Sequence, residues 1–262
     1  MAVLGSMVRT LSGDCGTVNI ILSKATSLAV TPRAVATVVA TVAEDNVSLR
    51  LSVGEGAGVH LVLAQLSPTT SLDIEVAAGA TFVQSIVGTL PEHYRLTSIV
   101  RLRGEGANVH CQIAAVGRNE AEGELDITLD HQSPRTCGRI TARRVQSDGS
   151  FSSLHAMLKI APRAHGTDTY LSDKALLLGE RARAVSVPSL EILADDVKAS
   201  HGATIGRLSP DELFYLRSRG LPPASAHELL VRAFLAPALI GVPLEVVARL
   251  EHNLAAHAAQ PA

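Results

Sequence analysis

Tryptophan is absent from this chain of 262 residues, and aromatic residues of all kinds make up 3% of it. Single-stranded nucleic acid is held by stacking on aromatic faces, so a binder of that class is excluded. Charge of one sign is scarce too: 23 Lys and Arg stand against 25 Asp and Glu, a formal net charge of -2 with no long basic or acidic run. Such a distribution gives neither a phosphate-backbone footprint nor an anionic-membrane surface. The three cysteines, Cys15, Cys111 and Cys137, lie far apart with no CxxC pair. That spacing excludes a disulfide framework and a structural zinc site, and the three read as reduced, buried, small hydrophobes. Apolar runs such as 35–42 are too short to span a bilayer, and the first residues, MAVLGSMVRT, lack the apolar core of a secretory signal. The chain reads as cytoplasmic, with no nucleic-acid or membrane partner. No GxxxxGK[ST] occurs, so there is no intrinsic ATP site of the P-loop type.

What the chain does have is aliphatic bulk and repetition. Hydrophobic residues make up 47% of it, enough to bury a sizeable core and to exclude disorder as the main state. Gly54-Glu55-Gly56-Ala57-Gly58-Val59-His60 recurs as Gly104-Glu105-Gly106-Ala107-Asn108-Val109-His110, with Ala77-Ala78-Gly79-Ala80-Thr81-Phe82 between them. Weaker echoes follow at 160–164 and 178–182. Each unit reads as a strand, a tight turn and a second strand: Leu49 to Val53 alternates before its turn and Val59 to Leu63 follows it. The interval is about two dozen residues, and fixed-period self-similarity of that length marks stacked architectures. A doubly wound sheet needs crossover helices between its strands, and none is patterned here. The reading is mainly β: a right-handed parallel β-helix over 1–207, with 1–18 as a looser leading segment, and an antiparallel β-sandwich as the alternative.

From Leu208 the period becomes helical, giving a small α-helical subdomain over 208–262. Ser209-Pro210-Asp211-Glu212 is a capping box with Pro at the first helical position, which predicts a helix from Pro210 to Gly220. Ser225-Ala226-His227-Glu228 repeats that grammar and predicts a second helix, disturbed at Pro237 and closed by Gly241. A third begins at Pro243.

Several segments together resemble one known family. LSDKALLLGERA, LEILADDVKASHGAT and LFYLRSRG, in order between Gly166 and Pro237, are similar to the C-terminal signature of the SufB/SufD scaffolds of iron-sulfur cluster assembly, and Asp130-His131-Gln132-Ser133-Pro134-Arg135-Thr136 is similar to the family's DHxxPxT segment. The resemblance is SufD-like. It implies a non-enzymatic subunit with a β-helix core and C-terminal helices, in a compact form without the N-terminal helical extension of many relatives. It also implies two partners: a SufC-like ATPase of the ABC type, docked on those helices, and a SufB-like subunit or a second copy of this chain. The docking residues would be Leu213, Phe214, Tyr215, Leu216, Arg217 and Arg219. The cargo would be a transient iron-sulfur cluster.

Within the resemblance His201 matches the His of the SufD SHGAT segment, which implies a part in cluster assembly, and a neutral imidazole is a suitable iron ligand. Three departures weigh against cluster chemistry on this chain alone. Ala199 stands where SufD proteins commonly carry Cys. Asp173 and Gly202 stand at the positions of the sulfur-accepting Cys and the Glu of SufB, so persulfide chemistry is not carried over. A second reading follows, a cluster-incompetent assembly or regulatory partner of the ATPase. A polysaccharide-acting β-helix enzyme is the least favoured, since no acidic cluster recurs across the coils.

The remaining polar residues have structural readings. Asp195 and Asp196 are adjacent, so in a regular strand only one of them could share a face with His201, and a solvated turn is preferred. Asp173, Lys174 and Glu180 read as surface groups. His60 and His110 recur because the coil recurs, and His131 reads as ordering a corner.

Overall fold

The structure is a computed structural model and describes residues 8–42 and 44–258. Its strands alternate between two sheets of eight. The odd-numbered sheet holds β1 (Val8–Leu11), β3 (Thr26–Val30), β5 (Asn46–Val53), β7 (Thr69–Val76), β9 (His93–Leu102), β11 (Glu122–His131), β13 (Phe151–Ile160) and β15 (Arg183–Ile192). The even-numbered sheet holds β2 (Asp14–Leu22), β4 (Val35–Val42), β6 (Gly58–Leu63), β8 (Thr81–Thr89), β10 (Asn108–Gly117), β12 (Cys137–Gln146), β14 (Thr167–Leu177) and β16 (Val197–Arg207). Every pairing is parallel and joins a strand to the next-but-one in the chain, so each coil contributes one strand to each sheet. This is a parallel β-helix, and the antiparallel sandwich is excluded.

Two expectations change. Val8 stands opposite Ser27, Asn46 opposite Thr69, His93 opposite Glu122 and Phe151 opposite Arg183, so the coil lengthens from 19 through 23 and 29 to 32 residues. The interval of two dozen holds only in the middle, because later strands are longer. Of the segment read as loose, 1–18, Val8–Leu11 and the residues from Asp14 on are strand: β1 pairs with β3 and β2 with β4, with a register shift between Asp14 and Thr17, while 1–7 lie outside the described residues.

The sheets differ in what lies outside them. On the odd sheet Val47, Leu49, Leu51 and Val53 point into the solenoid and Ser48, Arg50 and Ser52 point out, the alternation of a strand with one wet face. Its outer face carries ion pairs between successive coils, among them Asp73 with Arg101 and Glu75 with Arg103. The even sheet is covered on both faces over half its width, and strands such as β10 are correspondingly apolar on both parities. There Val62, Val87, Val116, Val145 and Leu176 pack under the helices α2 (Pro223–Leu235) and α3 (Leu244–Ala258), against Val231, Leu235, Val246 and Leu250.

One corner repeats from coil to coil. Arg33, Gly56, Gly79, Gly106, Arg135 and Gly166 all have φ between 54 and 71°, the left-handed region where glycine carries no steric cost. The N–H of each donates to the carbonyl just before its counterpart in the next coil: Gly56 to Ala78, Gly79 to Glu105, Gly106 to Pro134, Arg135 to His165. The corners therefore form a hydrogen-bonded column of their own. Thr31-Pro32-Arg33-Ala34 and Ser133-Pro134-Arg135-Thr136 belong to it although neither contains glycine. The echo at 178–182 does not, since it turns the chain from β14 to β15, at the opposite corner.

The helix α1 (Pro210–Ser218) begins as its capping box requires, with Ser209 Oγ accepting from the Glu212 N–H at 3.3 Å, and Gly220 follows it at φ 91°. The second helix starts earlier than its sequence suggests. Pro222-Pro223 supplies helical φ and a missing N–H at the first turn, so α2 begins at Pro223 and Ser225 lies inside it. At Pro237 the helix tightens to a 3-10 turn, Ala236–Ala238.

Candidate functional site

The last coil, β15 and β16, pairs on one side only, β15 with β13 and β16 with β14. Its backbone polarity can be read from the ladder. Arg183 N–H donates to Ser150 and Leu193 N–H to Ile160, so the odd-numbered residues of β15 face β13 and the even-numbered ones face the open side. Pro188 falls in that open row and interrupts it where a ladder donor would stand. In β16 the phase is opposite: Gly166 N–H donates to Asp196, so even-numbered residues face β14, and 197, 199, 201, 203, 205 and 207 turn their N–H and C=O outward along an unbroken edge.

Side chains follow the same parity. Val197, Ala199, His201, Ala203 and Ile205 continue the inward columns of Thr167, Thr169, Leu171, Asp173 and Ala175. His201 thus points over the mouth of the solenoid interior, is exposed, and stands on Leu171. Ala199 is its inward neighbour. Gly202 points to the outer face, where a Cβ would lie 3.2 Å from Tyr170 Oη, so no side chain at 202 shares a face with His201 in a regular strand. Asp195 and Asp196 sit in the corner before β16, exposed. The mouth is lined by aliphatic groups: Leu190, Ile192 and Ile205 are inward in register yet 37–45% exposed, because no further coil covers them.

Beneath this mouth lies a buried ion pair that the sequence reading places at the surface. Arg144 and Asp173 are inward on β12 and β14, with side chains 0% and 1% exposed. Arg144 Nε and Nη2 reach the two Asp173 oxygens at 3.1 and 2.6 Å, Nη1 reaches Ser152 O and Oγ at 3.0 and 2.8 Å, and Nη2 also reaches Val185 O at 3.1 Å. All five guanidinium N–H groups are used, which is what a fully desolvated charge requires. Asp173 is therefore committed to Arg144, and only Lys174 and Glu180 of that trio are exposed.

The histidines of the coils are structural in geometry. His60 Nε2 lies 2.8 Å from Ser85 Oγ, which donates to Gln112 Oε1, and Gln112 Nε2 donates to Ile240 O, tying the even sheet to the turn between α2 and α3. His110 Nε2 meets Thr141 Oγ1 at 2.9 Å. Burial holds both imidazoles below their usual pKa, with Arg139 adding to the effect at His110. Cys111 faces the interior, opposite to His110, and burial pushes its thiol up to about 12. Cys15 and Cys137 are only half-buried, so the expectation of three interior thiols holds for one. Among the described residues no group of three or more His, Cys, Asp and Glu could hold a metal ion.

His131 orders its corner as expected: it is fully buried, with Nδ1 2.8 Å from Thr136 Oγ1. Burial, with the nearby Arg139 charge, pushes its pKa down to about 4. Between pH 6.5 and about 4 the unfolded chain then binds more protons than the folded one, so stability rises with pH across this window. The His131 contribution is fully present above 6.5 and is lost as pH falls toward 4, a loss of up to about 3 kcal/mol at 1.36 kcal/mol per unit. Denaturant midpoints of His131→Gln and the parent chain, measured from pH 7 to pH 4, check it: the parent should lose stability faster.

The helices divide into two kinds. α2 and α3 are fastened to the even sheet, whereas α1 buries no residue. A cleft of about 470 Å³, lined by Lys174, Thr204, Arg207, Glu212, Leu230 and Phe234, lies between the sheet, α1 and α2. On α1 Leu213 and Leu216 are half-buried, while Phe214, Tyr215, Arg217 and Arg219 are exposed, Phe214 at 74%. Arg219 stacks on Tyr215 at 5.2 Å. No helix of the described residues is long and apolar enough to cross a membrane.

The fold defines the class: a parallel β-helix with helices packed along one sheet and a last coil that pairs on one side only among the described residues. Residues 12–234 match the model of the family described as SUF system FeS cluster assembly, SufBD core domain, and this chain belongs to that family. It is 30% identical over 220 residues to the iron-sulfur cluster assembly protein SufD of Escherichia coli (strain K12), covering 78% of this chain and 51% of that protein. It is 34% identical over 146 residues to SufD of Bacillus subtilis (strain 168), covering 56% of this chain and 33% of that one. A SufBD family protein of Pyrococcus horikoshii is 41% identical over 93 residues, 36% of this chain and 21% of its own length. The chain spans about half or less of the length of these relatives.

Proposed function

We propose that this chain is a non-catalytic, SufD-like scaffold subunit of an iron-sulfur cluster assembly complex, which pairs through its terminal coil with a SufB-like subunit or a second copy of itself and docks a SufC-like ABC ATPase through its C-terminal helices. The observation that carries this reading is the unbroken outer edge of β16 with His201 at its centre. A free edge of this length is an aggregation liability unless a partner pairs with it. Any cluster is cargo shared with the partner, since among the described residues His201 belongs to no group of His, Cys, Asp and Glu that could hold a metal ion. ATP is bound by the docked ATPase.

Docking on α1 is supported by its exposure. Helices this short are marginal without packing, and α1 turns Phe214 and Tyr215 to solvent. Phe214→Ala is expected to weaken binding of the ATPase roughly 30-fold, the effect of losing an aromatic anchor worth about 2 kcal/mol, while leaving the melting temperature of the free chain unchanged. Titration calorimetry with the purified ATPase measures it. Undiminished binding after removal of 209–220 would exclude docking there; removing α2 and α3 is uninformative because it strips the outer core of the even sheet.

The presence of Ala199 beside His201 favours the second reading, an assembly or regulatory partner that builds no cluster. Anaerobic reconstitution with iron, sulfide and purified partners separates the two. An iron-dependent spectrum lost in His201→Ala supports assembly; intact ATPase binding with no such spectrum supports the reduced role.

A further inference from the structure

On the outer face of the even sheet the charges are of one sign and gather at one end. From β4 to β10 its strands hold no Lys, Arg, Asp or Glu, and the outer faces of β12, β14 and β16 present Arg139, Arg143, Lys174 and Lys198 against a single acid, Asp168. That acid is taken, since Arg139 Nη2 donates to Asp168 Oδ1 at 2.8 Å. On the odd sheet Arg95, Arg101, Arg103 and Lys159 each meet a carboxylate of a neighbouring coil. Arg143 and Lys174 do not. They stand opposite one another on adjacent strands, where like charges are unfavourable, and neither forms an ion pair among the described residues. Arg143 is half-buried. Its Nη1 donates to Ala142 O at 2.8 Å and to Ser172 Oγ at 3.3 Å, which ties the guanidinium to the sheet and leaves Nε and Nη2 without a protein acceptor. Burial holds its pKa below the usual arginine range, outweighing the opposite pull of Asp173 and Tyr170. The Asp173 carboxylate is committed to Arg144 on the inner side of the sheet.

Beside this pair opens the cleft of about 470 Å³ between the sheet, α1 and α2. Lys174 and Arg207 supply its positive charge and Glu212 is its one acid, while Leu176, Leu230 and Phe234 give it an apolar wall. Gly206 leaves the β16 side open, with nothing within 4 Å of where its Cβ would stand. A concave space of this size with an apolar wall and a few polar groups is that of a small-molecule site. We propose that the cleft binds a small organic anion, with a carboxylate or phosphate head between Arg143 and Lys174 and an apolar body against Leu176, Leu230 and Phe234. The unused edge of the guanidinium matches two oxygens of either head, and the bound anion relieves the repulsion between the two cations. An uncharged ligand of the same body lacks that gain. The site lies wholly within this chain, so it stands apart from pairing at β16 and from docking of the ATPase.

Amide and methyl spectra of the full chain, titrated with sodium octanoate and separately with octyl phosphate, test the site, with 1-octanol as the uncharged control. The expected result is saturable shifts at Lys174, Thr204, Leu230 and Phe234 with at least one of the anions, and binding of octanol about tenfold weaker or less; the tighter of the two anions names the head. Lys174→Gln, at an exposed position, and Arg143→Gln should each weaken binding about tenfold, the effect of losing one charge-assisted contact, whereas Arg139→Gln, whose charge is spent on Asp168, should stay within about twofold of the parent. Octanol binding as tightly as the anions, shifts confined to the open mouth at Leu190 and Ile205, or affinity unchanged in Lys174→Gln would overturn the proposal. So would shifts at these residues on adding the ATPase but with neither anion, which would make the cationic face a protein contact instead. Lys174→Gln decides the matter even if Arg143→Gln does not fold.

Discussion

Replacing Arg144 by Met is expected to lower the stability of the folded chain by about 3–5 kcal/mol, because it leaves the Asp173 carboxylate buried with its charge partner gone. For a chain of this size the melting temperature should fall by roughly 6–20 °C, readable by calorimetry. The loss should begin at the open end. Arg144 reaches across three coils, to Asp173 and Ser152 in the next and to Val185 O in the last, so amide exchange in β15 should accelerate before that of β9 or β11. The paired change Arg144→Met with Asp173→Leu should recover most of the loss, since a buried ion pair and well-packed apolar groups of similar volume are often close in energy. A single variant within 1 kcal/mol of the parent would mean that water reaches Asp173 and the pair is not the closed unit described.

Ala203→Pro is expected to weaken pairing with the partner subunit by about 100-fold while the chain itself stays folded. The Ala203 N–H lies in the outward row of β16, so the ring removes a donor from the open edge and leaves the β14 to β16 ladder complete. The loss of a ladder bond together with a steric clash is worth about 3 kcal/mol, which is two decades in affinity. The neighbouring change, Thr204→Pro, should do the reverse, since its N–H faces β14: the last coil should loosen and the melting temperature should drop. Pro188 places the same chemistry in the open row of β15 naturally, so the pairing proposed above would run along the even sheet. Equal effects of the two substitutions on pairing would contradict that assignment.

The solenoid was legible because corners carry a backbone requirement that shows in composition. Gly56, Gly79 and Gly106 hold left-handed φ, and their spacing exposes the coil. The same corner is hidden at Arg33 and Arg135, where an arginine takes that conformation and no glycine marks it. Strand parity was legible on the odd sheet, where polar residues alternate outward, and blurred on the even sheet, where α2 and α3 cover the outer face. Arg143 and Arg144 show why this matters. In the sequence they are twins, yet one is half-exposed and the other fully buried, and counting inward from Ile140 and Ala142 would have separated them. Asp173 could not have been placed without its partner 29 residues away in the preceding coil. The α1 cap is local chemistry and was readable; the early start of α2 was masked by a second capping pattern at Ser225 that Pro222-Pro223 overrides.

Affinity isolation of this chain from its native cell, with partner identity, stoichiometry and bound iron measured on the same sample, tests the scaffold reading most directly. The account predicts an ABC-type ATPase together with either a SufB-like subunit or a second copy of this chain, the ATPase lost on removal of 209–220 and the paired subunit lost in Ala203→Pro. A chain recovered alone as a monomer, or one that keeps both partners in both variants, would contradict it.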